Sequence, residues 1–155
     1  MSLWIASSPL VLASQSKVRR AVLEAAGIPV EARPAELDER AIEQGVKGGP
    51  GDVALTLAHA KARTVAAMSD PGIVVGCDQT LALGERRFSK PTDRAAARDQ
   101  LRFMRGKPHE LHSAVAVCRN GFRNFQKGPV LLAGEGRWSV LKQFSHDHTL
   151  RAAID

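Results

Sequence analysis

The sequence predicts a single α/β domain, on three observations. Short apolar runs alternate along the chain with segments of helical periodicity, a pattern typical of strands joined by helices. A length of 155 residues suits one hydrophobic core, so we expect one domain over residues 1–155. Hydrophobic residues make up 44% of the chain and charged residues 25%, which excludes an intrinsically disordered protein.

The first elements are predicted as strand, helix and strand. Residues 10–13 form a short apolar run of the kind found in buried strands. Apolar residues then recur at helical spacing over residues 17–26, with Ser16 placed as N-cap and Gly27 just beyond the last turn. Residues 29–33 follow as a second strand.

The middle of the chain is predicted to contain a long helix and the most buried strand. Residues 34–52 are polar and rich in glycine, which favours a loop or a short helix. Asp52 is expected to cap a helix over residues 53–68. The apolar run 73–77 predicts a buried strand that ends just before Asp78.

A further helix and strand complete this pattern. Thr92-Asp93 is expected to open a helix that runs to Met104 and Arg105 and stops at Gly106. Residues 111–117 predict a long strand, and Asn120-Gly121 is a strong hairpin signal.

The charge of the chain is concentrated in its second half and points to an anionic partner. Residues 1–78 carry 8 basic and 9 acidic side chains, whereas residues 79–155 carry 14 and 7. Phosphate is the usual partner of such a surface. Nucleic acid is not expected, because aromatic residues are scarce and the arginines are dispersed over several elements.

The cysteines and the chain start favour a cytoplasmic protein. Cys77 and Cys118 are 41 positions apart, which fits neither a zinc ribbon nor a disulfide framework, so we expect buried free thiols. The start lacks the basic residues of a secretory signal, and no apolar stretch approaches the roughly 20 residues of a membrane span.

The turn after the first strand is a candidate anion site. Ser14 and Ser16 precede the helix, where unpaired backbone N–H groups and the helix dipole favour an anion, and Arg19 lies in the first turn. The alternative is an ordinary capping serine beside solvated arginines. The turn lacks the glycines of a Walker loop or a dinucleotide fingerprint.

Three other positions could carry chemistry. Asp78 follows a buried strand, where a carboxylate can hold Mg²⁺ or orient water, although it could equally cap a turn. Lys61 interrupts an alanine-rich helix and Lys90 precedes a proline, but either could simply extend to solvent. Asp38-Glu39 offers paired carboxylates that could also be only solvated charges.

The order of these motifs resembles the Maf family of nucleotide pyrophosphatases over about residues 10–117. The matching segments are Leu12-Ala13-Ser14-Gln15-Ser16-Lys17-Val18-Arg19-Arg20, Leu37-Asp38-Glu39, Leu57-Ala58-His59-Ala60-Lys61-Ala62, Gly76-Cys77-Asp78-Gln79, Ser89-Lys90-Pro91 and residues 101–106. The resemblance implies an ITPase-like α/β fold with an elongated, mixed sheet flanked by helices.

The resemblance also implies a reaction and a set of residues. Proteins of this family hydrolyse nucleoside triphosphates, often modified ones, to a monophosphate and pyrophosphate with a divalent cation (Mg²⁺, Mn²⁺ or Co²⁺). Asp78 matches the residue that accepts the proton of the attacking water, and with Glu39 it matches the metal ligands. The residues that match the phosphate-binding set are Ser14, Ser16, Arg19, Arg20, Lys61 and Lys90.

Two residues bear on the preferred base. One branch of the family carries Pro-Arg-Arg and Asp-Thr and is suited to dTTP and UTP; another carries a bulky residue before the arginines and Asp-Gln, and acts on 7-methyl-GTP. Here Val18 precedes Arg19-Arg20 and Gln79 follows Asp78, so the chain is similar to the 7-methyl-GTP branch.

The C-terminal part departs from the family pattern. Residues 122–155 diverge, and the usual glycine-rich segment with its base-reading glutamine is not found there. We therefore expect a shortened homologue. The alternative to an enzyme is a weak or inactive nucleotide-binding regulator of cell division and septum formation. A homodimer is the default expectation.

Overall fold

The computed structural model describes residues 4–68, 72–119, 130–133 and 139–141. Helices and strands alternate in these residues, as the sequence predicts. Their bounds are β1 Leu10–Leu12, α1 Lys17–Ala25, β2 Val30–Ala32, α2 Glu39–Gly45, α3 Pro50–Met68, β3 Ile73–Leu83, β4 Arg86–Phe88, α4 Arg94–Met104, β5 Glu110–Arg119, β6 Val130–Ala133 and β7 Ser139–Leu141.

The described strands form one mixed sheet, which confirms the predicted fold class. The strand order is β2-β1-β3-β5-β6-β7, and β4 pairs with β3 outside this path. β1 runs parallel to β2 and to β3, whereas β3 is antiparallel to β4 and β5. β5, β6 and β7 continue as antiparallel neighbours.

The long helix α3 covers one face of the sheet and forms the larger part of the core. Alanines on this helix (Ala54, Ala58 and Ala62) pack with Val74 of β3 and Ala116 of β5, and all five residues are inaccessible to solvent. Alanine is the best helix former and leaves little side-chain bulk between backbones, so α3 can lie close to the strands.

The opposite face of β1 and β3 is covered from the side of α1. Leu10, Leu12 and Val75 are buried there, and Leu23 of α1 and Ile28 pack against them. Helices therefore flank the sheet on both faces, because the side chains of a strand point alternately to either side. No helix in the described residues is long and apolar enough to cross a membrane.

Several element boundaries confirm the sequence predictions. Ser16 caps α1 by accepting a hydrogen bond from the backbone N–H of Arg19, and Gly27 follows the helix with a φ of +76°. Asp93 caps α4 in the same way through Ala96. Of the two alternatives for residues 34–52, the short helix α2 is present.

Two boundaries were predicted wrongly. Helix α3 begins at Pro50, so Asp52 lies in the first turn rather than at the cap. Proline suits a first helical position because its missing N–H would have no partner there. The Asp52 carboxylate instead accepts a hydrogen bond from the N–H of Gly49. Strand β3 continues to Leu83, so Asp78 lies inside it and does not follow its end.

Two further features bear on the predictions from sequence. The hairpin of β3 and β4 was not predicted; its turn contains Gly84, with a φ of +57°. The predicted Asn120-Gly121 turn lies outside the described residues. Cys77 and Cys118 are not joined in a disulfide; Cys118 is buried, as expected, whereas Cys77 is only half-buried.

Candidate active site

The central strand β3 has an open edge where its two neighbours on one side fail to meet. β1 pairs with β3 only as far as Val75, and β4 begins its pairing at Leu81. β5 occupies the other side of β3 from Ile73 to Ala82. Residues 76–80 therefore have no strand partner on the β1 and β4 side among the described residues, and we call this stretch the open edge.

The turn between β1 and α1 lies beside this open edge. The Ser14 hydroxyl oxygen accepts hydrogen bonds from the Ser16 N–H and from Arg19 Nη1, each at 3.2 Å. Arg19 Nη1 also donates to the carbonyl oxygen of Cys77 at 3.0 Å. Ser16 is thus a capping serine, and Arg19 reaches the residue before Asp78.

Lys61, Asp78 and Glu39 meet on the face of β3 that is covered by α3. Lys61 Nζ lies 2.7 Å from Asp78 Oδ1 and 3.0 Å from Glu39 Oε1. The Lys61 and Asp78 side chains are each only 11% exposed, whereas that of Glu39 is 48% exposed. The group therefore extends from a buried strand and helix to the surface at the first turn of α2.

A close approach of helix and strand brings Lys61 to Asp78. A Cβ atom built on Gly76 would overlap the carbonyl oxygen of Ala58 and lie 2.7 Å from Ala62 N. No other residue fits there, because every side chain begins with a Cβ atom. The close contact of Gly76 with Ala58 and Ala62 thus allows Lys61 to reach the carboxylate of Asp78, which lies two residues farther along β3.

Burial and charge shift the pKa values of this group. Burial raises the pKa of Asp78 above its ordinary value, and the hydrogen bond from Lys61 only partly offsets this effect. Burial alone would lower the pKa of Lys61, but the hydrogen bonds and charges of Asp78 and Glu39 outweigh it, so the pKa is raised. Lys61 is therefore a firmly protonated cation between two carboxylates.

Three other predicted residues have different surroundings. Gln79 points to the opposite face of β3, where its Nε2 donates to Ser113 Oγ at 2.9 Å. Arg20 is exposed and pairs with Glu24 on its own helix. Val18 is 73% exposed on α1.

Lys90 is exposed and lies at the other end of the open edge. The last residue of β4, Phe88, pairs with Leu81, just beyond the open edge. Lys90 stands two residues after Phe88. The open edge is thus bordered by the turn that contains Ser14 and Ser16 (the serine turn) at one end and by the last residue of β4 at the other.

The carboxylates suit a cation that keeps other ligands of its own. Within the part of the chain that the structure describes, no group of three or more His, Cys, Asp or Glu side chains could hold a metal ion. Asp78 and Glu39 offer two carboxylates. Mg²⁺ is commonly bound by one or two carboxylates together with water and substrate phosphates, so the donor set fits Mg²⁺ or a similar hard cation.

Comparison with models of protein families assigns the chain to a family. The family model described as "Maf-like protein" matches residues 9–135. The chain belongs to this family. The match includes the serine turn, Glu39, Lys61, the open edge and Lys90, so the family resemblance inferred from the motifs is confirmed.

Curated relatives of this Maf-like chain carry the names of pyrophosphatases. It is 56% identical over 126 residues to a "Nucleoside triphosphate pyrophosphatase" of Rhodopseudomonas palustris, which covers 81% of this chain and 62% of the relative. A "7-methyl-GTP pyrophosphatase" of Rhizobium meliloti is 47% identical over 114 residues, which covers 72% of this chain and 57% of the relative. The chain spans about three fifths of the length of these relatives.

Sequence reasoning did not find all the residues that form the site. It treated Gly76 only as part of a motif, although the contact with α3 depends on its missing side chain. Ser113, which accepts the hydrogen bond from Gln79, has no distinguishing pattern in the sequence. The small residues at 58, 62 and 76 were a usable signal, because together they permit close packing of helix on strand.

Proposed function

We propose that this Maf-like protein hydrolyses nucleoside triphosphates to the monophosphate and pyrophosphate. The observation that carries the proposal is the buried contact of Lys61 with Asp78 and Glu39 at the open edge, opposite Arg19 and the serine turn. Cations around a largely buried carboxylate at an open strand edge suit a triphosphate and a water that must lose its proton.

In this proposal Asp78 accepts the proton of the attacking water. In the structure one of its oxygens, Oδ1, accepts a hydrogen bond from Lys61. A positioned general base contributes about 10²–10⁴-fold to a rate. The raised pKa of Asp78 supports this role, because a base with a higher pKa takes the proton of water more readily.

The phosphates are bound by residues on both sides of the open edge. Ser14, Ser16 and Arg19 form an anion site at the N-terminus of α1, where backbone N–H groups and the helix dipole add to the guanidinium. Lys61 and Lys90 contribute cations from the other elements. Arg20 adds positive charge at the surface of α1, close to Arg19 in sequence.

Asp78 and Glu39 would hold the divalent cation, Mg²⁺ or alternatively Mn²⁺ or Co²⁺. When bound, such a cation neutralises charge that develops on the phosphate oxygens. The Glu39 side chain is half-exposed, so its carboxylate remains open to a ligand that arrives from solvent. The protein's own contribution is to hold two carboxylates and the backbone of Lys61 in fixed positions.

For the base we propose 7-methylguanine, following the sequence pattern at Val18 and Gln79. Gln79 lies on the α1 side of β3, so a base read by its amide requires the nucleotide to cross the open edge from Asp78. The amide offers both a donor and an acceptor. A cytoplasmic location and a homodimer belong to the same proposal.

The test is pyrophosphate release with Mg²⁺ from 7-methyl-GTP, dTTP and UTP. We expect release from at least one nucleotide, and a loss of at least about 100-fold in the Asp78→Asn variant. Asp99→Asn is the matched control, since Asp99 is an exposed carboxylate on α4 that pairs with Arg102. The control should keep full activity.

Binding of the triphosphates should survive in Asp78→Asn, because the cations that contact phosphate are unchanged. Triphosphate binding without release from any nucleotide by the wild-type protein would reject the enzyme. That result would favour the alternative, a nucleotide-binding regulator of cell division.

A further inference from the structure

One ammonium group serves two carboxylates at the site. Lys61 Nζ contacts Asp78 Oδ1 and Glu39 Oε1 at distances that are both typical of charge-assisted hydrogen bonds. The oxygens of Asp78 and Glu39 thus converge on the position of the lysine nitrogen. With both carboxylates ionised, the three groups together carry one negative charge, so the group retains an attraction for a further cation.

A divalent cation bound between Asp78 and Glu39, on the side where their oxygens converge, would use Asp78 Oδ1 and Glu39 Oε1, the oxygens that Lys61 contacts. Mg²⁺ requires its oxygen ligands at about 2.0–2.1 Å, which is closer than an ammonium stands. Two cations on the same oxygens would repel each other strongly in a partly buried site. Occupancy by one therefore disfavours occupancy by the other.

We propose that Lys61 and the divalent cation compete for the oxygens of Asp78 and Glu39, and that the displaced ammonium turns to the phosphates of the substrate. This inference rests on the proposed function, which assigns the metal to these carboxylates. It adds that Lys61 lowers the affinity for metal alone and makes binding of metal and triphosphate cooperative.

The proposal requires the head group of Lys61 to move while its backbone stays fixed. The close packing of α3 on Gly76 holds the helix against β3 at Ala58 and Ala62. Lysine has a flexible four-carbon stem, and its charge is a compact point that can serve different partners. The half-exposed Glu39 side chain marks the open side of the group, through which metal and phosphate would enter.

The cooperativity follows from linkage. Metal binding releases Lys61 from the carboxylates, and the released cation then favours the anionic triphosphate. Because coupling between two ligands is reciprocal, the triphosphate must favour the metal by the same factor. Replacement of Lys61 by a neutral residue removes both the competition and the phosphate contact.

The first test measures Mn²⁺ binding without nucleotide by titration calorimetry. We expect Lys61→Met to bind Mn²⁺ at least about tenfold more tightly than the wild type, because a like charge has been removed from the site. Lys47→Met is the control, since Lys47 is an exposed lysine just beyond α2. This variant should match the wild type.

The outcomes separate this inference from the proposed function. Equal or weaker Mn²⁺ binding by Lys61→Met overturns the competition but leaves the metal assignment in place. No Mn²⁺ binding by any of the three proteins overturns the assignment of the metal to Asp78 and Glu39 as well.

A second test uses the wild-type protein and does not depend on the folding of a variant. Acetic anhydride acetylates accessible amines, and mass spectrometry reports the extent at Lys61 and Lys47 with and without Mg²⁺. We expect Mg²⁺ to increase acetylation at Lys61 several-fold and to leave Lys47 unchanged. Unchanged or reduced acetylation of Lys61 would show that the ammonium keeps its carboxylates, against the proposal.

Discussion

The contact between Gly76 and helix α3 provides the most direct test of how the site is held together. In Gly76→Ala the new methyl group would press against the Ala58 carbonyl oxygen and lie 2.7 Å from Ala62 N and 2.9 Å from Ala62 Cβ. Two of these three atoms belong to the helix backbone, so no side-chain rotation can relieve the clash. The helix itself must withdraw from β3.

The size of the effect follows from these distances. Ordinary contact of a Cβ atom begins at 3.4 Å, so α3 must retreat by about 0.7 Å at Ala62. Overpacking of this kind costs about 1–3 kcal/mol of unfolding free energy. For a protein of this length that corresponds to a fall in Tm of about 2–12 °C. Because Lys61 moves with the helix, we also expect kcat/KM to fall by about 10- to 100-fold.

The assay combines thermal unfolding with pyrophosphate release, and Gly45→Ala serves as the control. A Cβ atom on Gly45 meets nothing within 4 Å, so this variant should keep its Tm or gain slightly, since alanine is the better helix residue. If Gly76→Ala melted within about 1 °C of the wild type with full activity, the close approach would not be what positions Lys61.

Two other predictions concern a helix cap and a thiol. The pKa of Asp93 is held below its ordinary value mainly by the hydrogen bond from the Ala96 N–H. The stability from this carboxylate is therefore present above about pH 3.9 and is lost as the pH falls through the lower folded-state pKa. In urea unfolding measured over a series of acidic pH values, the unfolding free energy of Asp93→Asn should fall less steeply with decreasing pH than that of the wild type. Cys77→Ser should retain pyrophosphate release, because Arg19 binds the backbone carbonyl of Cys77, and a loss of more than about tenfold would implicate the thiol.

The sequence predicts those elements whose determinants are local. Ser16 and Asp93 cap their helices through side chains that bond within three residues, and Gly27 takes a positive φ that other residues avoid. These interactions need no knowledge of the rest of the fold. The same holds for the apolar runs that form β1 and the start of β3.

The extent of β3 could not be read in this way. Asp78 and Gln79 interrupt the apolar run, and polar residues normally mark the end of a buried strand. The strand continues because β5 pairs with it as far as Ala82, and this ladder joins residues 28 to 46 positions apart. Lys61 accompanies Asp78 into the interior, so the carboxylate is buried with a partner.

The candidate site was predicted as a set of residues but not as an arrangement. Motif order grouped Ser14, Arg19, Lys61 and Asp78, and the structure places these four around one stretch of β3. The sequence contains no sign that Gln79 faces away from Asp78, because the predicted strand ended before both residues. Extension of β3 through this pair decides their opposite directions.

The open edge would allow Asp78, the proposed general base, and Gln79, the proposed base-recognition residue, to act from one strand. A fully paired β3 would leave Asp78 and Gln79 on two separate faces of a continuous sheet, with no path for a ligand between them. Because the pairing of β3 with β1 stops at Val75 and its pairing with β4 begins at Leu81, a ligand can pass around the unpaired stretch and contact both faces. Under the proposed function, the lengths of the strands that flank β3 therefore matter as well as the side chains. Extension of β1 or β4 into this stretch should close the site even with every predicted residue in place.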